Sequence, residues 1–106
     1  MNLTLLALVV AAVLEISGDA LIRAGLVGAK WHLVVGGGAV LVAYGLVVNT
    51  NRAIDFGRLM GVYIAVFFVV SQIVAYLTFG SRPSARGLLA GALIVAGGLL
   101  FQLGTD

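Results

Sequence analysis

The sequence predicts an all-α integral membrane protein with four transmembrane helices, and three observations predict it. Hydrophobic residues make up 62% of the 106 positions and charged residues only 9%, against about 25% charged in a soluble domain. The apolar residues fall into four runs, each near the ~20 residues that cross a bilayer. The runs are long and do not alternate, which argues against strands. With so little polar surface, most of the outside of such a chain faces lipid or protein.

Helix 1 is expected over 3–22, ending near Arg23, with AGLVGAK as a short link. Its first residues, Met1 to Thr4, carry no Lys or Arg, and the apolar run continues straight into Glu15. The segment therefore reads as a retained helix and not as a cleaved signal. Helix 2 is expected over 31–49, opening on Trp31 and His32 at the interface. NTNRAIDFGR is the most polar stretch and forms the second link. Helix 3 follows over 58–79. GSRPSAR holds the only proline, Pro83, and is a break. Helix 4 covers 87–103, leaving the tail Gly104-Thr105-Asp106. All of 1–106 reads as a single four-helix transmembrane domain.

The links are short, so neighbouring helices should pack antiparallel. Arg23, Lys30, Arg82 and Arg86 fall on one side of the membrane, and Arg52 and Arg58 on the other. Orientation follows Lys and Arg, and this bias puts both termini outside. It is small enough to permit both orientations of one chain. Four helices are few for a pathway with two gates, so the chain is expected to work as a dimeric bundle.

Several chemistries are set aside by composition. There is no cysteine, and His32 is the only histidine, so neither a metal site nor a cofactor is expected. The net charge of +2 comes from six cations near segment ends. They read as topology anchors, with no basic run for nucleic acid. Nothing suggests an enzyme.

Glu15 stands in the middle of helix 1. A charge at bilayer depth costs roughly 2.5–3.5 kcal/mol on the insertion scale, and intramembrane carboxylates mark substrate or proton pathways. Leu8, Ala11, Ala12, Glu15, Gly18, Asp19 and Ile22 share a face by helical periodicity. The small neighbours leave space beside the carboxylate. A carboxylate withdrawn from water holds a proton more readily, and one that exchanges its proton for a cation is the minimum of an antiporter. The bland alternative is a protonated or hydrogen-bonded helix contact. Asp19 is a second candidate for binding; equally, it stands four residues before Arg23, where an ordinary surface ion pair would form.

The other candidates are weaker. In helix 2, the glycines 36–38 suit close helix packing, and Tyr44 is a candidate cavity hydroxyl that needs a partner when buried. In helix 3, Tyr63 and Phe67 form an aromatic step suited to organic cations through cation–π attraction. Packing against core or lipid is the ordinary alternative. Gln72 is the only amide deep in helix 3 and is expected to hydrogen-bond across helices. Gly91, Gly97 and Gly98 make helix 4 an assembly helix, with Gly87-x3-Gly91 a generic contact pattern.

In layout, with a lone Glu in the middle of helix 1, the chain resembles the small multidrug resistance superfamily of proton-coupled exporters. Locally it is most similar to the YnfA-type branch. The carrying residues are Glu15-Ile16-Ser17-Gly18, Gly57-Arg58 at the start of helix 3, and Tyr63. Phe79-Gly80-Ser81-Arg82 and Ala96-Gly97 resemble the typical multidrug exporters instead. The resemblance implies an antiparallel homodimer in the bacterial inner membrane, alternating access, and Glu15 as shared proton and substrate site. It also implies Tyr63 as a pocket aromatic and helix 4 as the dimer contact. The implied substrates are quaternary ammonium, aromatic or guanidinium-type cations. This sequence departs from the pattern at Met60 and Tyr63, where the exporters have Tyr and Trp. Ala65-Val66-Phe67 replaces their bending Gly-x-Gly, and Ile64-Ala65 replaces the Gly-Gly of the YnfA-type branch.

Drug efflux by proton antiport is thus the expected function. One alternative is translocation of lipid-linked sugars or another metabolite, with an unlike second chain where the pair is obligate. The other is a membrane scaffold that moves nothing, in which Glu15 pairs with a cation on a partner helix.

Overall fold

A computed structural model describes residues 3–50 and 52–103, except for the side chain of Thr78. The expected tail, with Met1 and Asn2, lies outside the described residues. Four helices form: α1 (Leu3–Gly28), α2 (Trp31–Val48), α3 (Phe56–Phe79) and α4 (Ala85–Leu103). Each is long and apolar enough to cross a membrane. The chain divides into two compact units, Met1–Asn51 and Arg52–Asp106. Each is a helical hairpin: α1 packs on α2, and α3 on α4.

The helix ends differ from the sequence expectation for identifiable reasons. α1 does not stop near Arg23 but runs on to Gly28, so Arg23 lies inside it and the link shrinks to Ala29-Lys30. Residues 23–28 hold no proline, and Gly25 is buried in the hairpin, where packing outweighs its poor helix propensity. The stop comes from Ala29, at φ 53°, with the Lys30 N–H donating to the Gly25 carbonyl at 2.8 Å. That is a left-handed cap of the kind glycine usually makes. An alanine there carries about 1 kcal/mol of steric strain, so Ala29→Gly should stabilise the hairpin by about that much. Reversible unfolding in detergent measures it.

α3 begins at Phe56, two residues earlier than expected, because Asp55 caps it: its carboxylate accepts from the Arg58 N–H at 3.2 Å. α4 likewise begins at Ala85, where the Ser84 hydroxyl accepts from the Gly87 N–H at 3.0 Å. Such caps satisfy N–H groups that the first turn leaves without partners. α3 ends at Gly80, whose φ of 66° needs glycine.

In the first hairpin, α1 buries Leu8, Ala11, Ala12, Gly18 and Gly25, and α2 buries Gly37 and Val48. The backbones nearly touch: a Cβ on Gly37 would stand 2.7 Å from the Gly18 carbonyl oxygen and 2.9 Å from the Ile22 nitrogen. Small residues allow this approach, which favours dispersion and packing where no hydrophobic effect acts between helices in lipid. In the second hairpin, α3 buries Leu59 and Tyr63, and α4 buries Gly91 and Gly98. Gly91 accepts the Phe68 ring, Gly98 accepts the Ala65 methyl, and Gly61 lies beneath the Phe101 ring.

Candidate functional site

α1 and α2 meet along a regular ladder. Gly25 lies against Val34, Ile22 against Gly37, and Gly18 against Leu41. Each step back along α1 is matched by an equal step forward along α2, as antiparallel helices require. The next step brings Glu15 level with Tyr44. The step after that brings Ala11 level with Val48, and both of these are buried. Glu15 and Tyr44 are themselves half-buried, and each has an interaction partner. Glu15 is also the thirteenth of the 26 residues of α1. The only glutamate in the chain therefore sits at the middle of a membrane-length helix, on its packed seam.

Asp19 was expected on the same face. It is exposed on its hairpin, because the seam steps from Glu15 to Gly18 to Ile22 and passes Asp19 by. Among the described residues no ion pair joins it to Arg23, which is exposed as well. The expected face is otherwise present: Leu8, Ala11, Ala12 and Gly18 are buried, and Ile22 is half-buried.

The second hairpin places its candidates differently. Tyr63 is only 4% exposed. It lies 6.0 Å from the Phe67 ring at 48°, a tilted aromatic pair; Phe67 is half-buried. Gln72 is exposed and, among the described residues, makes no hydrogen bond to another helix. Of the three glycines expected between copies, Gly91 and Gly98 already pack on α3 within the chain, while Gly97 has nothing within 4 Å of its Cβ position. At the far end of α3, the Arg82 guanidinium lies 5.8 Å over the Tyr76 ring, within cation–π range.

Arg58 has a role that the sequence did not disclose. Its Nε donates to the Phe101 carbonyl at 3.0 Å, and its Nη2 to the Gln102 carbonyl at 2.9 Å. The fork closes the open end of the α3–α4 hairpin and places a cation at the negative end of the α4 dipole. Its signal was the pairing of a cation in the first turn of one helix with a cation-free last turn in the next. Arg58→Ala removes both of these exposed hydrogen bonds and should cost about 0.5–1.5 kcal/mol. Faster amide exchange in the last turn of α4 is the expected readout, with the first hairpin unaffected.

Two bacterial relatives align with most of the chain. A UPF0060 membrane protein of Rhodococcus erythropolis is 39% identical over 92 residues, which is 86% of this chain and 84% of the relative. A UPF0060 membrane protein of Mycolicibacterium gilvum is 35% identical over 95 residues, 89% of this chain and 88% of the relative. No protein-family model matches the chain, and no solved structure matches it. With four membrane-length helices and bacterial relatives along most of its length, this is a multi-pass membrane protein, and the chain belongs to the UPF0060, YnfA-type, family of membrane proteins.

Proposed function

We propose that the protein is a proton-coupled exporter of small organic cations in the bacterial inner membrane, with proton and substrate competing for Glu15. The observation that carries this reading is the position of Glu15, half-buried on a seam of small residues at mid-span. A carboxylate there is retained against its desolvation cost, and intramembrane ionisable groups mark ion or substrate pathways. One site with two exclusive occupants couples their opposite movements without further machinery. Bringing delocalised organic cations across the bilayer needs neither a metal nor a cofactor.

The functional unit in this proposal is an antiparallel homodimer of chains inserted in both orientations. The size of the chain and the small difference in flanking cations support it. Gly97, open on α4, suits a contact between copies. In liposomes containing the purified protein, an imposed gradient of guanidinium or tetraphenylphosphonium should drive protons the opposite way. A cation flux that moves no protons, or no flux for either cation, would overturn the proposal.

A further inference from the structure

We infer that Tyr44 is the positioning residue for Glu15: its phenol donates to the Glu15 carboxylate across the α1–α2 seam and orients it toward the cation. The inference rests on the proposed role of Glu15 and adds the second group of its site. The ladder carries it. Contacts at Gly25 and Val34, Ile22 and Gly37, and Gly18 and Leu41 fix the register. Buried Ala11 and Val48 continue it on the far side. Glu15 and Tyr44 occupy the rung between, both half-buried and both partnered. Every other rung pairs apolar or glycine residues, and this one pairs a carboxylate with a hydroxyl.

The chemistry follows from the pairing. In lipid a buried polar group must find its partner inside the protein. A phenol is a good donor to a carboxylate, and hydrogen bonds to ionised acceptors are about twice as strong as neutral ones. The ionised carboxylate is the form that binds a cation, and the phenol gives it a fixed donor. The Tyr44 ring adds an aromatic surface beside the carboxylate, where a planar or quaternary cation gains cation–π attraction. The other charged or titratable groups on the two packed helices stand apart. Asp19 and Arg23 follow one and two turns along α1, off the seam, and His32 is three turns away along α2.

The test uses the full chain in bicelles. Because Glu15 is the only glutamate, selective ¹³C labelling makes the Glu carboxyl resonance report on Glu15 alone. Tyr44→Phe should displace that resonance, and Tyr76→Phe should not. Tetraphenylphosphonium affinity should fall about three- to tenfold in Tyr44→Phe, and Tyr76→Phe should leave it unchanged. An unmoved carboxyl resonance, or wild-type affinity in Tyr44→Phe, would overturn the inference. Wild-type protein that binds no cation would instead overturn the proposed function, and the carboxyl resonance would still decide the Tyr44 pairing.

Discussion

Glu15→Gln is expected to abolish proton-coupled cation exchange while leaving the protein folded and inserted. Glutamine keeps the length and most of the shape of the side chain, so the seam between Ala11 and Gly18 should still close. Removing the charge also lowers the cost of placing α1 in the bilayer. Losing one partner of a desolvated ion pair costs about 3–5 kcal/mol, roughly two to almost four orders of magnitude in affinity. The variant loses its proton carrier at the same time, so residual flux should be uncoupled from pH. Glu15→Asp keeps the carboxylate but retracts it by one methylene from the Tyr44 rung. It should retain coupling with weaker binding. Asp19→Asn should change little by comparison, because Asp19 lies off the seam. Vesicle flux with an internal pH dye separates these outcomes. Coupled exchange surviving in Glu15→Gln would remove the carboxylate from the mechanism.

The spans were legible because a bilayer imposes a length, and length together with composition survives without any detail of packing. The middle position of Glu15 was legible for the same reason. Helix ends were less so. Asp55 and Ser84 are ordinary capping residues that open α3 and α4, yet they stand in links whose polarity masks them. The end of α1 carried no such signal: the chain turns at Ala29, and the glycines before it, Gly25 and Gly28, look like the stop. Asp19 shows the limit of periodicity. A four-residue spacing places it near Glu15 on a helical wheel, but only the actual partner helix decides which side of Glu15 is covered. The Tyr44 rung and the Arg58 fork were illegible for a related reason, since both depend on the register between two helices. Tyr63 and Phe67, expected as an aromatic step, lie as a tilted pair, and the burial of Tyr63 is a property of packing that spacing does not carry.

The three consecutive glycines of α2 are expected to respond to alanine in opposite senses. Gly37→Ala places a methyl 2.7 Å from the Gly18 carbonyl oxygen and 2.9 Å from the Ile22 nitrogen. Both are backbone atoms, so no side chain can rotate aside and the helices must separate. Overpacking of this kind costs about 1–3 kcal/mol. A separation at the centre of the ladder also draws Tyr44 away from Glu15, two rungs along. Gly36 and Gly38 have nothing within 4 Å of their Cβ positions. Alanine at either is therefore free of clashes and should stabilise α2 by up to about 1 kcal/mol through helix propensity. The three sites share one helix and one turn, so helix propensity is held constant and their differences report the packing that each methyl meets. Reversible unfolding in detergent reads stability, and proton-coupled flux reads the site. Gly37→Ala should lose both, whereas Gly36→Ala should keep both. A Gly37→Ala protein as stable and active as wild type would mean that α1 and α2 do not approach at Gly18, and the register that pairs Glu15 with Tyr44 would fall with it.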